Sequence, residues 1–307
     1  MVENPLVSII INCYNGEEHL REAMNSVYAQ TYTNWEIIFW DNCSTDTSAE
    51  IAKSYGEKVI YYKAEINKPL GEARNYALAK ANGKYLAFID CDDIWSDDKL
   101  EKQVDLMEEN PNFILCYSSI EYVYLNGDHF RDVYTIFNSG YIFKELLLQY
   151  DINILTAMIR KDLLIATGLN FDPFITASEE YCLFMQLASH YPIGVIKDIQ
   201  AKYRINPESL TSKSLPRLGI ERRYTLDQIV KNHPELKVKY AKEFKEAYAR
   251  GNYYDARWHM STKNNWKAFK CMIAIAHLSI RYFILAFVTL LPGKVWEQIH
   301  LKLRNRT

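Results

Sequence analysis

The sequence predicts an α/β protein built on a doubly wound, mostly parallel sheet that is flanked by helices. Strand-like and helix-like segments alternate in units of about 25–35 residues, which is the pattern of parallel sheets. The clearest strand, residues 85–89, is apolar throughout and ends abruptly in Asp90, Cys91, Asp92 and Asp93. In open α/β sheets, ligands bind at the carboxyl ends of the strands. We therefore expect the functional site at this edge.

The elements before the acidic strand follow in order. β-branched and aromatic runs predict strands at residues 7–11, 35–40 and 59–62. Apolar residues at helical spacing predict helices over 17–30, from about residue 49, and over 72–81. Polar loops at 12–15 and 41–46 follow the first two strands, so they share an edge with residues 90–93. Three polar loops that meet at one edge predict a nucleotide-binding cleft.

The middle of the chain predicts further strands and helices with less regular spacing. Predicted strands are residues 113–119, 154–160 and 194–199, and predicted helices are 141–150, a segment ending at 167–168, and one beginning after Ser178. Asn126-Gly127 is typical of a hairpin turn, here within residues 121–133. From residue 215 onwards, long helical patterns predict a separate helical region, with helices over 222–230 and 238–258.

The acidic turn after residue 89 predicts a metal site. Three carboxylates at the end of a buried strand repel one another unless a cation neutralises them. Hard oxygen ligands suit Mg²⁺ or Mn²⁺, which in turn hold phosphates. We expect Asp92 to be the principal ligand, with Asp90 and Asp93 in support. The alternative, an acidic turn that caps the next helix, is better served by Asp97 and Asp98.

Composition limits the classes of protein that fit. The chain has 307 residues, 49% hydrophobic and 24% charged, enough for one large domain and an appendage. A net charge of -2 argues against nucleic acid as a partner. None of the six cysteines forms a CxxC pair, which indicates thiols in a reducing cytoplasm. The N-terminal residues show no signal-peptide pattern, so we expect a cytoplasmic protein.

The apolar segment 271–291 near the C-terminus has two interpretations. His277 and Arg281 interrupt it, and the part that follows is too short to span a hydrocarbon layer of ~30 Å. Basic residues lie beyond it, at Lys294, Lys302, Arg304 and Arg306. An apolar helix pair with a basic end suits a peripheral contact with the membrane surface. The alternative is a helical cap on the first domain, and both can hold together.

Two segments carry a resemblance to a known family. VSIIINCYNGEEHLREAMNSVYAQTYTNWEIIFWDNCSTDTS and NKPLGEARNYALAKANGKYLAFIDCDDIW resemble the family 2 glycosyltransferases, which have the GT-A fold. The resemblance covers roughly residues 5–215, so we expect a GT-A domain over 1–215 and a helical region over 216–307. It implies transfer from a nucleotide-diphosphate sugar, usually with inversion, and a divalent metal on a DxD motif. The acceptor would be a glycan or a lipid-linked glycan of the bacterial surface.

The resemblance also implies roles for residues of the first two loops. Tyr14 would stack against the nucleobase, and Asn12 stands where the family commonly has a small residue or proline. An acidic pair after the second strand usually contacts the base and ribose. In this chain the pair is Asp41 and Asn42, so an amide replaces the second acid.

Further roles follow from the later motifs. Arg74 resembles an arginine near the donor diphosphate, beside which Asp90 would also lie. Glu180 stands where the family has its catalytic base, one methylene longer than usual, and Glu179 would orient its neighbours. Arg204 and Ser209 belong to a segment that resembles the loop closing over the diphosphate.

Two other functions are compatible with the residues. A nucleotidyltransferase would share the doubly wound sheet, but it needs a phosphate loop rich in glycine and lysine, which residues 12–16 do not supply. A non-catalytic module that binds sugar nucleotides or glycans would explain the departures at Asn42 and Glu180. Turnover separates this module from the enzyme.

Overall fold

The computed structural model describes residues 4–206, 214–293, 295, 296 and 299. It divides the chain into two compact units, Met1–Pro207 and Glu208–Thr307. In the described part of the first unit, nine strands form one sheet: β1 (Val7–Cys13), β2 (Trp35–Asp41), β3 (Val59–Lys63), β4 (Tyr85–Phe88), β5 (Ile94–Trp95), β6 (Leu115–Val123), β7 (His129–Val133), β8 (Met158–Arg160) and β9 (Ile193–Arg204).

The sheet has a parallel half and a mixed half. The strand order is β3-β2-β1-β4-β8-β6-β9-β5, and β7 pairs with β6. The pairs β3·β2, β2·β1, β1·β4 and β6·β9 are parallel, whereas β8 runs antiparallel to both β4 and β6. The α/β class is confirmed. Because β1, β2 and β4 are parallel neighbours, their carboxyl ends and the loops that follow lie at one edge.

Seven helices are described in the first unit. They are α1 (Leu20–Tyr28), α2 (Ser48–Lys53), α3 (Leu70–Leu78), α4 (Lys99–Glu109), α5 (Phe143–Leu148), α6 (Lys161–Thr167) and α7 (Glu179–Ala188). The main core cluster contains apolar side chains of the first strands and of α1, including Ile9, Ile11, Met24 and Phe39. Burial of these apolar side chains is the main favourable term for this unit.

The expected strand over 154–160 is only partly correct. Residues Ile154–Thr156 form a 3-10 turn, and the strand is confined to Met158–Arg160. The Asn153 side chain accepts a hydrogen bond from the Leu155 N–H at 2.9 Å, which caps this turn. The expected hairpin is confirmed: β6 and β7 pair antiparallel across a turn in which Gly127 has a φ of 87°.

The described part of the second unit is helical. Its helices are α8 (Leu215–Asn232), α9 (Pro234–Lys239), α10 (Ala241–Ser261), α11 (Asn265–Ile273) and α12 (Ile280–Val288). Helices α8 and α10 approach closely at Gly219. A Cβ atom on this residue would lie only 2.6 Å from the Gly251 carbonyl oxygen. None of the described helices has the length and apolar character needed to cross a membrane.

Candidate active site

The first two polar loops are joined by hydrogen bonds, so the predicted convergence is confirmed. The Asn15 N–H donates to Ser44 Oγ at 3.0 Å, and the Thr45 N–H donates to Asn15 Oδ1 at 2.8 Å. One residue further on, the Gly16 N–H donates to Ser48 Oγ at 3.0 Å. The loops after β1 and β2 therefore form one continuous rim at the carboxyl edge of the sheet.

Asp41 and Asn42, at the end of β2, hold the neighbouring loops in place through hydrogen bonds. Asp41 is buried, and its carboxylate accepts hydrogen bonds from the Ser44 N–H at 2.7 Å and the Tyr61 hydroxyl at 2.5 Å. Asn42 donates from Nδ2 to the Lys68 carbonyl at 2.8 Å and accepts from the Lys68 N–H at 3.1 Å. A carboxylate could not donate the first of these bonds. The two hydrogen bonds with the Lys68 backbone therefore explain an amide at position 42.

Asn12 lies within β1 and Tyr14 directly after it, and the two side chains differ in exposure. The side chain of Tyr14 is 56% exposed, so one face of its ring is open to a ligand. Asn12 is buried, and among the described residues its Nδ2 has no hydrogen-bond partner. A buried donor without a partner is costly. A ligand that accepts from Nδ2 would remove this cost.

The acidic turn after β4 separates its three carboxylates. Asp90 and Asp92 are partly exposed, whereas Asp93 is buried and accepts a hydrogen bond from the Arg204 N–H at 2.9 Å. Burial, and then the charge of Asp90, raise the pKa of Asp92 to about 6. Burial and the charges of Asp92 and Asp90 raise the pKa of Asp93 well above its usual range. Asp93, which we expected to help ligate the metal, is held against β9.

The acidic turn fits a divalent cation. Among the described residues, the Oδ2 atom of Asp93 is buried without a hydrogen-bond partner. The raised pKa values of Asp92 and Asp93 reflect carboxylates that share a poorly solvated space. The ligand atoms of Asp90, Asp92 and Asp93 are not among the described triads that lie within 4.8 Å of one another. Mg²⁺ is commonly held by one or two carboxylates together with phosphates of a substrate, which does not require all three carboxylates to converge.

Arg74 connects the acidic turn to the start of α7. Its guanidinium donates to Glu179 Oε1 at 2.7 Å and to Asp90 Oδ1 at 3.2 Å. Arg74 and Glu179 are each about 3% exposed. Arg74, which we expected beside the donor diphosphate, thus also holds Asp90 in place. Glu179 is the partner of Arg74, and its role in orienting neighbouring groups stays a prediction.

The Arg74–Glu179 pair provides a test of this arrangement. Arg74→Met would leave the Glu179 carboxylate buried without its partner, so we expect the free energy of unfolding to fall by about 3–5 kcal/mol. The double variant Arg74→Met/Glu179→Met removes both charges and should recover most of this loss. Urea unfolding measures both values. Lys68→Met is the control, because its ion pair with Glu72 is more exposed and should contribute little to stability. Equal losses in the single and double variants would contradict the arrangement.

Glu180 is the second residue of α7, and its surroundings change the pKa of its carboxyl group. Its side chain is partly exposed. Burial, and then the charge of Glu179, raise the pKa of Glu180 to about 7, against the opposing effect of Arg74. A base works best when its pKa lies near the operating pH. Glu180 lies at the start of a helix, as expected, and its raised pKa suits the proton-accepting role predicted for it.

Tyr150 lies near Glu180 and was not found by sequence reasoning. Burial, and then the charge of Glu180, raise the pKa of Tyr150 well above its usual range. The Tyr150 hydroxyl is buried without a hydrogen-bond partner among the described residues, and its ring meets Tyr181 edge-on at 4.8 Å. No local motif marks Tyr150, because only the fold brings residue 150 to residue 180.

Arg204 has a different setting from the one expected. It is the last residue of β9 rather than part of a loop, and it is 3% exposed. Its guanidinium donates to the Asp92 carbonyl at 2.9 Å, to the Leu125 carbonyl at 2.8 Å and to Glu22 at 2.6 Å. Arg204 thus holds the backbone of the acidic turn through its hydrogen bond to the Asp92 carbonyl. Ser209, the other expected contact of this segment, lies outside the described residues.

The same architecture occurs in solved glycosyltransferases with the GT-A fold. TarS 1-349 of S. aureus, in complex with UDP-GlcNAc, matches with a TM-score of 0.71 at 18% identity, over 98% of this chain and 92% of that chain. Mannosyltransferase PcManGT of Pyrobaculum calidifontis, in complex with GDP-Man and Mn²⁺, matches with a TM-score of 0.62 at 15% identity, over 96% and 84% of the two chains. At these identities the likeness concerns the fold.

Sequence comparison gives the family. The sequence profile of glycosyl transferase family 2 matches residues 8–165, and the chain belongs to this family. It is 31% identical over 220 residues to WfgD of Escherichia coli, a UDP-Glc:alpha-D-GlcNAc-diphosphoundecaprenol beta-1,3-glucosyltransferase, covering 71% of this chain and 84% of WfgD. By contrast, the chain spans only 33% of the length of two uncharacterized glycosyltransferases from Rickettsia species, which it matches at 35% identity.

Proposed function

We propose that this protein transfers a sugar from a nucleotide-diphosphate sugar to a hydroxyl group of a glycan or lipid-linked glycan, with inversion at the anomeric carbon. The observation that carries the proposal is Glu180, a partly exposed carboxylate whose pKa is raised to about 7. It lies one residue after Glu179, which Arg74 ties to Asp90 of the acidic turn. A base and a metal–diphosphate site would thus be held by one network.

The residues divide the chemistry between them. Arg74 keeps Asp90 in place, and Arg204 holds the backbone of Asp92. When bound at Asp92, a divalent cation would neutralise the charge of the leaving diphosphate. Glu180 would accept the proton of the acceptor hydroxyl as that oxygen attacks from the face opposite the diphosphate.

The comparisons support UDP-sugars as the first donors to test. WfgD is named for UDP-Glc and for an acceptor on diphosphoundecaprenol, and TarS was solved with UDP-GlcNAc. PcManGT was solved with GDP-Man and Mn²⁺, so GDP-Man belongs in the same screen. Tyr14 would stack on the base of any of these donors, because every nucleobase offers a flat face.

The proposal is tested by turnover. The full chain is incubated with UDP-Glc, UDP-GlcNAc or GDP-Man, with Mn²⁺ and with a synthetic sugar-diphosphate lipid, and both the released nucleotide and the glycosylated product are measured. We expect one donor to give stoichiometric nucleotide and product with inverted configuration. Tight binding of a donor without release of nucleotide, with every acceptor tried, would instead identify a non-catalytic binding module.

The exposed face of α12 supports a peripheral contact with a membrane. Ile280, Phe283, Ile284 and Phe287 recur at helical spacing and are 72%, 46%, 54% and 49% exposed. The opposite face of α12 packs in the core of the second unit, with Tyr282, Leu285 and Ala286 buried there. One face of α12 therefore packs within its own unit, and the other face is exposed.

Aromatic and basic side chains extend this exposed face onto α11. Phe287 meets Phe269 edge-on at 5.8 Å, and Phe269 stacks on Trp266 at 5.4 Å. Lys267 and Lys270 are exposed on the same helix. A helix pair with apolar and aromatic residues beside lysines suits the surface of an anionic membrane. A protein held there would meet a lipid-linked acceptor directly.

Removing two of these aromatic rings tests the membrane contact. Phe283→Ser/Phe287→Ser should lower binding to vesicles that contain phosphatidylglycerol by about tenfold or more, because two half-exposed rings lose their burial in the bilayer interface. Co-sedimentation with vesicles measures the change. Ile165→Ser, which removes an apolar side chain that is 66% exposed in the first unit, should have no effect. Failure of the unaltered protein to bind these vesicles would refute the contact.

A further inference from the structure

Two cysteines lie opposite each other at the carboxyl edge of the sheet. Strands β1 and β4 are parallel, with Ile10 opposite Phe88. Continuing this register by three residues sets Cys13, the last residue of β1, opposite Cys91 in the acidic turn. Neighbouring strands are about 4.8 Å apart, a spacing that two cysteine side chains can bridge. The two sulfur atoms do lie close together, because both are within 3 Å of the position that a Cβ atom on Gly16 would take.

The surroundings keep the two sulfur atoms together. A Cβ atom on Gly16 would meet Cys91 Sγ at 2.6 Å and Cys13 Sγ at 2.9 Å, so both sulfurs occupy the space that the missing side chain leaves. Cys13 is 2% exposed and Cys91 is partly exposed, so Cys91 is the more accessible of the two residues. Neither thiol takes part in the proposed sugar transfer.

We propose that Cys13 and Cys91 form an oxidisable pair, and that a disulfide between them closes the site for the metal and the donor diphosphate. The second part rests on the proposed function. The oxidant is a low-molecular-weight disulfide such as oxidised glutathione. One cysteine attacks it and releases one glutathione thiolate. The second cysteine then attacks the mixed disulfide and releases the other. The protein loses two protons and two electrons, and the two glutathiones gain them.

The bond would act through the acidic turn. An S–S bond is about 2.05 Å long, much shorter than any non-bonded contact between two thiols. Forming it draws Cys91 towards the end of β1. Cys91 lies between Asp90 and Asp92 in the chain, so both carboxylates move with it. Asp90 is also the partner of Arg74, at 3.2 Å, so the network that reaches α7 is disturbed as well.

The test uses the full chain, treated with oxidised glutathione and then digested for mass spectrometry. We expect a peptide pair joined through Cys13 and Cys91 as the main cross-linked product. Calorimetry with UDP and Mn²⁺ should show at least a tenfold loss of affinity after oxidation and recovery with dithiothreitol. Cys13→Ser should keep its affinity under oxidation. Cys43→Ser, which removes another partly exposed thiol near the same edge, should lose affinity as the unaltered protein does.

Three results would overturn the inference. These are the absence of the cross-linked peptide, an unchanged affinity in the cross-linked protein, or an equal loss of affinity in oxidised Cys13→Ser. If the reduced protein does not bind UDP with Mn²⁺ at all, the proposed function fails instead. In that case the cross-linked peptide alone decides whether the two thiols form a pair.

Discussion

Replacing Glu180 with glutamine should lower the rate of sugar transfer by about 10²-fold or more, while the donor still binds. Glutamine keeps the shape of the side chain but cannot accept the proton of the acceptor hydroxyl. Glu180→Asp restores the residue type usual in the family and should retain partial activity, limited by its shorter reach. Steady-state rates with an authentic acceptor, together with calorimetry of the donor, separate the two effects.

The pH dependence of the rate checks the same assignment. Burial and the charge of Glu179 raise the pKa of Glu180 to about 7, so the carboxylate fraction falls as the pH drops through about 7. A general base must be deprotonated, and the rate should therefore fall in the same range. This acidic limb should be missing from the residual activity of Glu180→Gln. Near-normal turnover of Glu180→Gln would remove Glu180 from the mechanism and leave Glu179 as the next candidate.

Replacing Asp92 with alanine should abolish metal-dependent transfer without destabilising the fold. Burial and the charge of Asp90 raise the pKa of Asp92 to about 6, above its ordinary value. A carboxylate whose pKa is raised in the folded state is disfavoured there once the pH exceeds its unfolded pKa. Removing it should therefore leave the free energy of unfolding at pH 7 equal or higher in the absence of metal. Loss of activity would then reflect loss of a ligand and not of structure.

Titration with Mn²⁺ and thermal unfolding measure the two effects separately. Asp97→Ala is the matched control, since it removes an exposed carboxylate five residues further along the same segment. It should bind Mn²⁺ and transfer sugar normally. Transfer that survives both EDTA and Asp92→Ala would refute the metal dependence.

Local patterns in the sequence were sufficient to predict the framework of the site. The apolar run before Asp90 and the polar loops after β1 and β2 are contiguous features, and the rule that parallel strands share their carboxyl edge brings them together. The Asn15 N–H donates to Ser44 and the Thr45 N–H donates to the Asn15 side chain, which confirms that the loops after β1 and β2 meet. The hairpin around Gly127 was likewise predictable, because the adjacent residues Asn126 and Gly127 are typical of a tight turn between two strands.

Only the tertiary structure decided how the side chains are partnered. Arg74 and Glu179 are 105 residues apart, and no local pattern pairs them. Asp92 and Asp93 are neighbours in sequence, yet only Asp93 is buried, where one of its carboxylate oxygens accepts a hydrogen bond from the N–H of Arg204 at the end of β9. The sequence alone therefore determined which edge of the sheet carries the site, since strand periodicity and loop polarity are local. The direction of each carboxylate depended on contacts with strands and helices distant in the chain, which only packing sets.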